Sequence, residues 1–264
     1  MKFITPALAG IIMGIASVSA AGDTAQKLSL TILRDTGGTL PNAIFSGASE
    51  TEINALTPAG SSPVECRVFH VANADGKACL IDTGRGGPTL REDMAKAGIS
   101  PESVGAILLT HTHGDHTGGL LADDNASPAF TNATVHITAS ELDFWRKSRP
   151  ANAAACEKVY KFDIIAPDGE SHVFMPRITV VAAPGHTPGH VAFLLDTPDR
   201  PTLVAGDLLH SEMQLKNKNI CASFDSDKPA AAESRKKLLA RAAAEGWSFT
   251  STHLPETFYR FDGE

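Results

Sequence analysis

Four side chains that can bind a metal ion lie within six residues, directly after a run typical of a buried strand. Residues 104–110, VGAILLT, are apolar almost throughout, which predicts a strand buried on both faces. His111 and His113 follow it and, two residues apart in extended backbone, point to the same side. A turn permitted by the next glycine can bring Asp115 and His116 toward the same pocket. Imidazole and carboxylate groups are ligands of zinc, manganese and iron, so the segment predicts a metal site at a strand end.

Further polar residues follow other strand-like runs. His186 lies in the segment APGHTPGH, Asp207 follows the run LVAG, and His253 follows FTST. Each is in a loop next to a strand end, where ligands from different strands converge. A lone histidine is more often an ordinary hydrogen-bonded residue, but in the segment 111–116 that explanation would have to hold for four side chains at once.

In this order, the motifs HTHGDH, PGHTPGH, AGDLLH and STHLP resemble the metallo-β-lactamase superfamily of metallohydrolases. The resemblance runs from about Lys27 to His253. It implies an α/β fold, an αββα sandwich in which two sheets pack face to face with helices outside and the metals at one edge. Strands and helices mix along the whole chain, so we expect one such hydrolase domain over residues 21–264.

The resemblance also implies a set of ligands for two divalent ions, zinc first, with manganese, iron or cobalt as alternatives. The first ion would be held by His111, His113 and His186, the second by Asp115, His116 and His253, and Asp207 would bridge both. Asp115 would also be catalytic, because it could orient the attacking hydroxide or accept its proton.

Three other residues near these motifs are given no ligand role. Asp82, in the family's IDTG segment, is expected to support the ligands from behind. For His190 and His210 the sequence leaves open whether they support the ligands or are ordinary hydrogen-bonded residues.

This ligand set predicts a dinuclear metal-dependent hydrolase. Two cations that share a water lower its pKa and present a bridging hydroxide to a carbonyl or phosphoryl centre, so no serine or cysteine nucleophile is needed. Aspartate at 207 differs from the true zinc β-lactamases and is similar to lactonases, phosphotriesterases and glyoxalase II-type thioesterases. The segments 35–63, 140–145, 206–210 and 224–227 resemble methyl parathion hydrolases and quorum-quenching lactonases.

We therefore expect cleavage of a lactone or related ester, with N-acyl homoserine lactones as one candidate. An organophosphate triesterase of the methyl parathion hydrolase type is the first alternative, because it would use the same ligands. A di-iron redox protein or a non-catalytic metal-binding protein is an alternative of another class, which a complete set of seven ligands disfavours. Aromatic residues that could line a pocket for such esters are Phe45, Phe144, Trp145, Phe224 and Phe258.

Net charge argues against a nucleic-acid partner. The chain has 23 Lys and Arg against 30 Asp and Glu, for a formal net charge of −7. The longest basic cluster is Arg235-Lys236-Lys237, which we expect on the solvated face of a helix over residues 229–245. The expected partner is a small-molecule ester, lactone or phosphotriester, and the oligomeric state stays open, with a dimer as one option.

The first twenty residues are typical of a secretory signal. Lys2 precedes an apolar run over residues 3–18, and Val18-Ser19-Ala20 matches a signal-peptidase site. The run is shorter than the ~20 residues of a membrane span and is interrupted by proline and glycine. We expect cleavage after Ala20, no membrane span in the mature chain, and a periplasmic or secreted protein.

Four cysteines in an exported chain could form up to two disulfides, in three alternative pairings. They are Cys66, Cys79, Cys156 and Cys221. A predicted hairpin over residues 64–72 and 77–82, with Ala72 opposite Lys77, places Cys79 opposite His70 and too far from Cys66 to bond. Before it, residues 35–63 are predicted to be a long connection with one helical turn near 50–56.

Overall fold

The computed structural model describes residues 27–261. The signal predicted for residues 1–20 lies outside this range, so cleavage and export stay predictions. In chain order, the strands are β1 (Ser29–Pro41), β2 (Phe45–Ser46), β3 (Ser61–Ala72), β4 (Ala78–Ile81), β5 (Ala106–Leu108), β6 (Thr134–Thr138), β7 (Lys161–Ile165), β8 (Asp168–His172), β9 (Ile178–Ala182), β10 (Val191–Leu195), β11 (Thr202–Val204), β12 (Cys221–Ala222), β13 (Ser248–Thr250) and β14 (Tyr259–Arg260). The α-helices are α1 (Glu50–Leu56), α2 (Pro88–Lys96), α3 (Gly114–Thr117), α4 (Ala139–Ser148), α5 (Pro150–Val159), α6 (Met213–Lys216) and α7 (Lys228–Ala244).

Two six-stranded sheets carry the architecture. The first has the order β1-β3-β4-β5-β6-β7 and the second the order β14-β13-β11-β10-β9-β8, while β2 and β12 form a small separate pair. Strands β4 to β7 run parallel to one another, as do β11 and β13, and the remaining pairs are antiparallel. Parallel strands end at the same edge of a sheet, so the loops that follow β5 and β6 lie side by side.

The main core lies between the two sheets. Phe69, Ile81 and Leu108 of the first sheet pack with Phe193 and Val204 of the second sheet, and all five side chains are buried. Because successive residues of a strand face opposite sides, the next residues along the same strands face outward. These outward apolar side chains must be covered by helices to be removed from water.

Helices cover both outer faces. Leu90 and Met94 of α2 and Trp145 of α4 pack on the first sheet, and Leu238 and Leu239 of α7 pack on the second. The order helices, sheet, sheet, helices is the αββα sandwich expected from the sequence. The predicted α/β fold class is therefore confirmed.

Two of these helices begin at side-chain caps that the sequence supplies. Thr138 precedes α4 and accepts a hydrogen bond from the backbone N–H of Glu141. Asp227 precedes α7 and accepts one from the N–H of Ala230. Each cap satisfies a backbone donor that the helix itself leaves unpaired.

The segment 35–63 differs from its prediction as a long connection. Residues 36–41 continue β1 and pair in antiparallel register with residues 61–66 of β3, after a shift of register between Arg34 and Thr36. Glycine and threonine made this part resemble a loop, but backbone hydrogen bonds to β3 hold it as a strand. The predicted helical turn near residues 50–56 is confirmed as α1.

The hairpin after β3 forms one residue out of the predicted register. Ala72 pairs with Ala78, and Cys79 lies opposite Val71 instead of His70. The N–H of Asn73 donates to the carbonyl of Lys77, so the turn closes around residues 74–76 instead of the predicted residues 73–76. All four cysteines are buried free thiols, so neither of the two disulfides that the composition allowed is formed.

Arg235 corrects the expectation of a solvated basic run. Its side chain is 1% exposed and points into the protein, whereas Lys236 and Lys237 are exposed. The guanidinium donates hydrogen bonds to three backbone carbonyls, those of Leu208 at 2.8 Å, Lys218 at 2.9 Å and Ile220 at 2.7 Å. These carbonyls explain why a cation is stable inside the fold.

Among residues 27–261, no helix has both the length and the apolar character needed to cross a membrane.

Candidate metal centre

The seven predicted ligands converge at one edge of the sandwich. His111 and His113 lie between β5 and α3, and Asp115 and His116 lie in α3 itself. His186 follows β9, Asp207 follows β11, and His253 follows β13. Strand ends from both sheets thus supply the site. The structure places His111, His113, His186 and Asp207 in one group, and Asp115, His116 and His253 in a second group beside it.

In the first group, three imidazoles point ring nitrogens at a common centre. His111 Nε2 lies 3.1 Å from His113 Nδ1, and His186 Nε2 lies 3.2 Å and 2.9 Å from these two nitrogens. Tetrahedral zinc bound at about 2.0–2.1 Å from each nitrogen would separate them by about 3.3 Å. The spacing therefore fits one bound ion.

Asp207 faces both groups. Its Oδ2 lies 3.3 Å from His186 Nε2, while its Oδ1 lies 3.1 Å from His116 Nε2 and 3.2 Å from His253 Nε2. The Asp207 Oδ1 and His116 Nε2 atoms are buried, yet neither makes a hydrogen bond. A cation between them would satisfy both, since unpaired buried polar atoms are costly.

The second group is looser. Asp115 Oδ2 lies 3.7 Å from His253 Nε2, and Asp115 Oδ1 lies 4.0 Å from His116 Nε2. The Asp115 carboxylate also accepts a 3.2 Å hydrogen bond from Arg85. Together the two groups contain five imidazoles and two carboxylates, and this cluster fits two divalent ions.

Hydrogen bonds on the side away from the cavity hold the imidazole rings of the two groups in place. Asp82 accepts from His116 Nδ1 at 2.7 Å, from the N–H of Thr110 at 2.8 Å and from the hydroxyl of Thr110 at 2.8 Å. Asp82 is fully buried and has a positive φ of 60°. It therefore occupies the supporting place that the sequence suggested, and it leaves His116 Nε2 free to face the second group.

Two more histidines of these groups are held in the same way. His186 Nδ1 lies 2.9 Å from Asp225 Oδ1, and His253 Nδ1 donates to the backbone carbonyl of Glu65 at 2.7 Å. Sequence reasoning gave Asp225 no role of its own. The FDSD segment ahead of α7 carries it, but only the structure shows that it turns back to His186.

His190 and His210, for which the sequence left the role open, both contact Asp207. His190 donates from Nδ1 to the carbonyl of Ala183 at 3.0 Å and accepts at Nε2 from the N–H of Asp207 at 3.1 Å. His210 Nε2 lies 3.1 Å from Asp207 Oδ2. Gly206 makes the His190 contact possible, because a Cβ there would lie 2.8 Å from His190 Nε2.

Glu141 is a buried carboxylate that sequence reasoning missed. It accepts hydrogen bonds from the N–H and hydroxyl of Thr112 at 2.9 and 2.8 Å. It also accepts from the hydroxyl of Thr187 at 2.7 Å and the N–H of Gly189 at 3.0 Å. Glu141 thus ties the loop that carries His111 to the loop that carries His186. Its position three residues after the cap Thr138 was the available signal.

Burial and neighbouring charges divide the histidines into two kinds. Burial lowers the pKa of His111 well below its usual value and that of His113 to about 4, so both are neutral. Burial alone would also lower the pKa of His116 and His186. The carboxylates of Asp207 and Asp82 outweigh it at His116 and raise its pKa well above 6.5, and Asp207 with Asp225 raises that of His186 to about 9.

The carboxylate between the groups stays ionised. Burial would raise the pKa of Asp207, but the coulombic effect of the surrounding histidines, His116 first, holds it well below the usual range. Metal binding at this site would therefore displace protons from His116 and His186 and none from Asp207.

A cavity of about 890 Å³ opens over the two groups. Residues 36–40 of β1, residues 64–66 of β3, Arg85, Arg149 and Phe224 form its walls. Of the aromatic residues expected there, Phe224 lines the cavity and packs on His210, with ring centroids 4.7 Å apart.

The other four aromatic residues expected to line the cavity lie elsewhere. Phe45 and Trp145 are buried in the core, so the expectation was wrong for both. Phe144 is half-buried, with its ring 6.3 Å from that of His113, and Phe258 is exposed. Neither residue is part of the cavity wall.

Comparison with known families places this site in a wider group. Residues 63–244, more than half of the chain, match the sequence model of the metallo-beta-lactamase superfamily. The matched range runs from within β3 to the end of α7 and includes six of the seven residues in the two groups.

Two similar curated proteins illustrate the range of the likeness. An N-acyl homoserine lactonase of Bacillus sp is 27% identical over 51% of this chain and 50% of its own length. A hydroxyacylglutathione hydrolase of Pseudomonas entomophila (strain L48) is 33% identical over 52% of this chain and 44% of its own length. The alignments thus span about half the length of these curated relatives.

A solved structure covers more of the fold. The dizinc quorum-quenching lactonase AidC, in complex with a product, superposes with a TM-score of 0.76 at 24% sequence identity. The superposition covers 90% of this chain and 95% of that one. At this level of identity the likeness establishes the fold alone.

Proposed function

Because the chain belongs to the metallo-β-lactamase superfamily, we propose that it is a metal-dependent hydrolase that cleaves a lactone or related ester of a small molecule. One observation carries the proposal. Asp207 is placed between two groups of ligand atoms, with one carboxylate oxygen toward each, at the floor of a cavity of about 890 Å³. Such a site suits an uncharged reacting centre that needs both activated water and charge stabilisation.

The donor set favours zinc. Five imidazoles and two carboxylates form the two groups, and imidazole is a ligand that zinc commonly takes in proteins. Two divalent ions, when bound, lower the pKa of a shared water toward neutrality and stabilise the oxygen on which negative charge develops. The protein residues then have to hold the ligands, position the substrate and manage one proton.

Asp115 is the proposed residue for that proton. Burial would raise the pKa of its carboxyl, but the coulombic effect of His116 and His253 lowers it overall, so Asp115 is ionised. Asp115 also lines the cavity, and Arg85 holds its Oδ2 at 3.2 Å. An ionised carboxylate at the cavity floor can orient the attacking water and accept its proton.

Two further residues keep the bridging carboxylate in position. His210 is neutral, since burial lowers its pKa to about 4, and a neutral ring with its proton on Nε2 donates to Asp207 Oδ2. His190 fixes the backbone of the same residue by accepting from its N–H. Asp207 is thereby held in both side chain and main chain before substrate arrives.

N-acyl homoserine lactones are the first substrate class we propose to test, because one similar protein is named as their lactonase. Thioesters are the second, because another similar protein is a hydroxyacylglutathione hydrolase. The organophosphate triesterase expected as an alternative from the sequence would use the same ligands, so it is tested beside them.

The experiment compares kcat/KM on the zinc-loaded protein for an N-acyl homoserine lactone, a thioester and a dimethyl aryl phosphotriester. Higher kcat/KM for the lactone supports the proposal, and preference for the phosphotriester refutes it. His111→Ala and Asp207→Ala should each abolish hydrolysis while circular dichroism stays near native. His70→Ala, on β3 outside both ligand groups, is the matched control. Full activity in either ligand variant would contradict the dinuclear mechanism.

Measuring the metal content distinguishes the hydrolase from the di-iron redox alternative. A purified protein with two equivalents of zinc and no visible absorbance supports the hydrolase. A coloured di-iron protein without hydrolytic activity would support the redox alternative instead.

A further inference from the structure

We propose that Arg149 forms a carboxylate-binding subsite in the cavity wall, so that the preferred substrates are esters or lactones that carry a carboxylate group. The proposal rests on the proposed hydrolase function and adds a substrate class to it. It is argued from the charges that line the cavity, from the fixed backbone of Arg149, and from the short distance between its guanidinium and the segment that carries four of the proposed ligands.

The other charged side chains of the cavity wall already have partners. Arg85 pairs with Asp115 at 3.2 Å, and Glu65 pairs with Arg34 at 2.8 Å. Among residues 27–261, no acceptor lies within hydrogen-bond or ion-pair distance of the Arg149 guanidinium. Arg149 is therefore the cation of this wall that can form a new ion pair without breaking an existing one.

The backbone of Arg149 is fixed. It joins α4 to α5, where its N–H donates to the carbonyl of Trp145 at 2.8 Å and its carbonyl accepts from the N–H of Ala153 at 3.0 Å. Trp145 is completely buried, and Pro150 follows directly. A guanidinium on such a support loses little backbone freedom when it binds a ligand, which favours recognition.

Arg149 also lies close to the proposed metal ligands. A Cβ on Gly114 would lie 2.7 Å from Arg149 Nη1 and 3.5 Å from its Cζ and Nη2. The guanidinium thus packs on the backbone between His113 and Asp115, and the missing side chain makes room for it. A short molecule with its ester over the ligand groups would reach Arg149 with a second polar group.

A carboxylate is the group that best matches this arrangement. The planar guanidinium presents paired N–H donors whose spacing fits the two oxygens of a carboxylate. The chain as a whole has a net charge of −7, which repels anions at long range. Arg149 is exposed at the cavity wall and unpaired, so it provides a local positive charge that would hold anionic substrates there by a specific contact.

The test uses two esters of equal length, 4-nitrophenyl hydrogen glutarate and 4-nitrophenyl valerate, on the zinc-loaded full chain. Arg149→Gln should lower kcat/KM for the glutarate ester about tenfold or more, mainly through KM, since hydrogen bonds to charged groups are worth about 1.5–3 kcal/mol. The valerate ester should change less than about twofold. Arg149→Lys keeps the charge without the paired donors and should fall between.

Arg146→Gln is the matched control. Arg146 lies on α4, is exposed, and pairs with Glu157 at 2.6 Å. We expect this variant to treat both esters as the wild type does. An equal loss for both esters in Arg149→Gln, or an unchanged ratio between them, overturns the proposal.

A binding measurement separates this proposal from the proposed hydrolase function. By calorimetry on the zinc-loaded protein, the wild type should bind glutaramate, which carries a carboxylate, more tightly than valeramide, which carries none, and Arg149→Gln should remove that preference. If the wild type hydrolyses neither ester but shows the preference, the subsite stands and the hydrolase proposal fails. Equal binding of glutaramate and valeramide by the wild type overturns the subsite.

Discussion

Replacing Asp82 by asparagine tests whether a residue behind the centre controls its affinity for metal. The amide oxygen must take the place of Asp82 Oδ1, because the backbone N–H of Thr110, 2.8 Å away, can only donate. The amide nitrogen then faces His116 Nδ1, which lies 2.7 Å from Asp82 Oδ2 in the wild type. That contact is satisfied only if Nδ1 loses its proton.

The consequence appears on the other side of the ring. A neutral imidazole without a proton on Nδ1 carries it on Nε2, the atom that faces Asp207 Oδ1 at 3.1 Å. To bind metal, Nε2 must give up this proton. The proton would then have to return to Nδ1, where it would face the N–H group of the asparagine amide. Loss of such a partner typically costs about 10- to 100-fold in metal affinity, or about 1.4–2.8 kcal/mol.

The assay is competition for zinc against a chromophoric chelator, with the bound metal counted after desalting. Asp82→Asn should bind one ion as the wild type does, in the group of His111, His113 and His186, and the second ion about 10- to 100-fold more weakly. The variant should fold, because asparagine tolerates the positive φ of 60° at this position. Two ions bound with wild-type affinity would refute the reasoning.

Two other predictions concern stability. In the metal-free protein, carboxylates outweigh burial and raise the pKa of His186 to about 9, against about 6.5 when unfolded. Its stabilising effect is complete below pH 6.5 and is lost as the pH rises toward 9, so the Tm in EDTA should fall across that range; a Tm that rises there contradicts the assignment. Arg235→Met leaves three carbonyls without their donor and should lower the free energy of unfolding by about 3 kcal/mol or more. Urea unfolding measures this, with the exposed Lys236→Met as control; equal midpoints for the two variants would contradict it.

The metal cluster could be anticipated from the sequence because its members follow strand-like apolar runs. His111 and His113 share one side of extended backbone, and parallel strands bring loops such as these to a common edge. The local sequence was therefore sufficient to predict the positions of the candidate ligands. The family resemblance carried their grouping around two ions.

The partners behind the ligands depend on contacts between distant segments. Asp225 reaches His186 across 39 residues, and Glu141 reaches Thr187 across 46. No periodicity links such positions, so only the packed fold reveals them. The sequence predicts Arg235 on the surface for a related reason. Its neighbours in sequence are lysines, but the carbonyls that satisfy it come from other loops.

The long ribbon formed by β1 and β3 was not predicted, because glycine and threonine are common to both loops and edge strands. Residues 36–41 have few large apolar side chains, so their alternation gives no signal. Pairing with residues 61–66 is what extends them. Helix α5 was also not predicted, because its buried residues, Ala153 and Cys156, are covered only by packing against neighbouring elements.

Because of that ribbon, the cavity wall and the proposed metal ligands come from different parts of the chain. The side chains proposed to bind metal come from loops at the strand ends of both sheets, whereas much of the cavity wall comes from residues 36–40 and 64–66. The two parts meet where the carbonyl of Glu65 accepts a hydrogen bond from His253. Mutations along residues 36–40 can therefore change which molecules enter while the reaction chemistry is preserved. In evolutionary terms, the ribbon is the part of this chain on which new substrate preferences can be selected without first losing an enzyme.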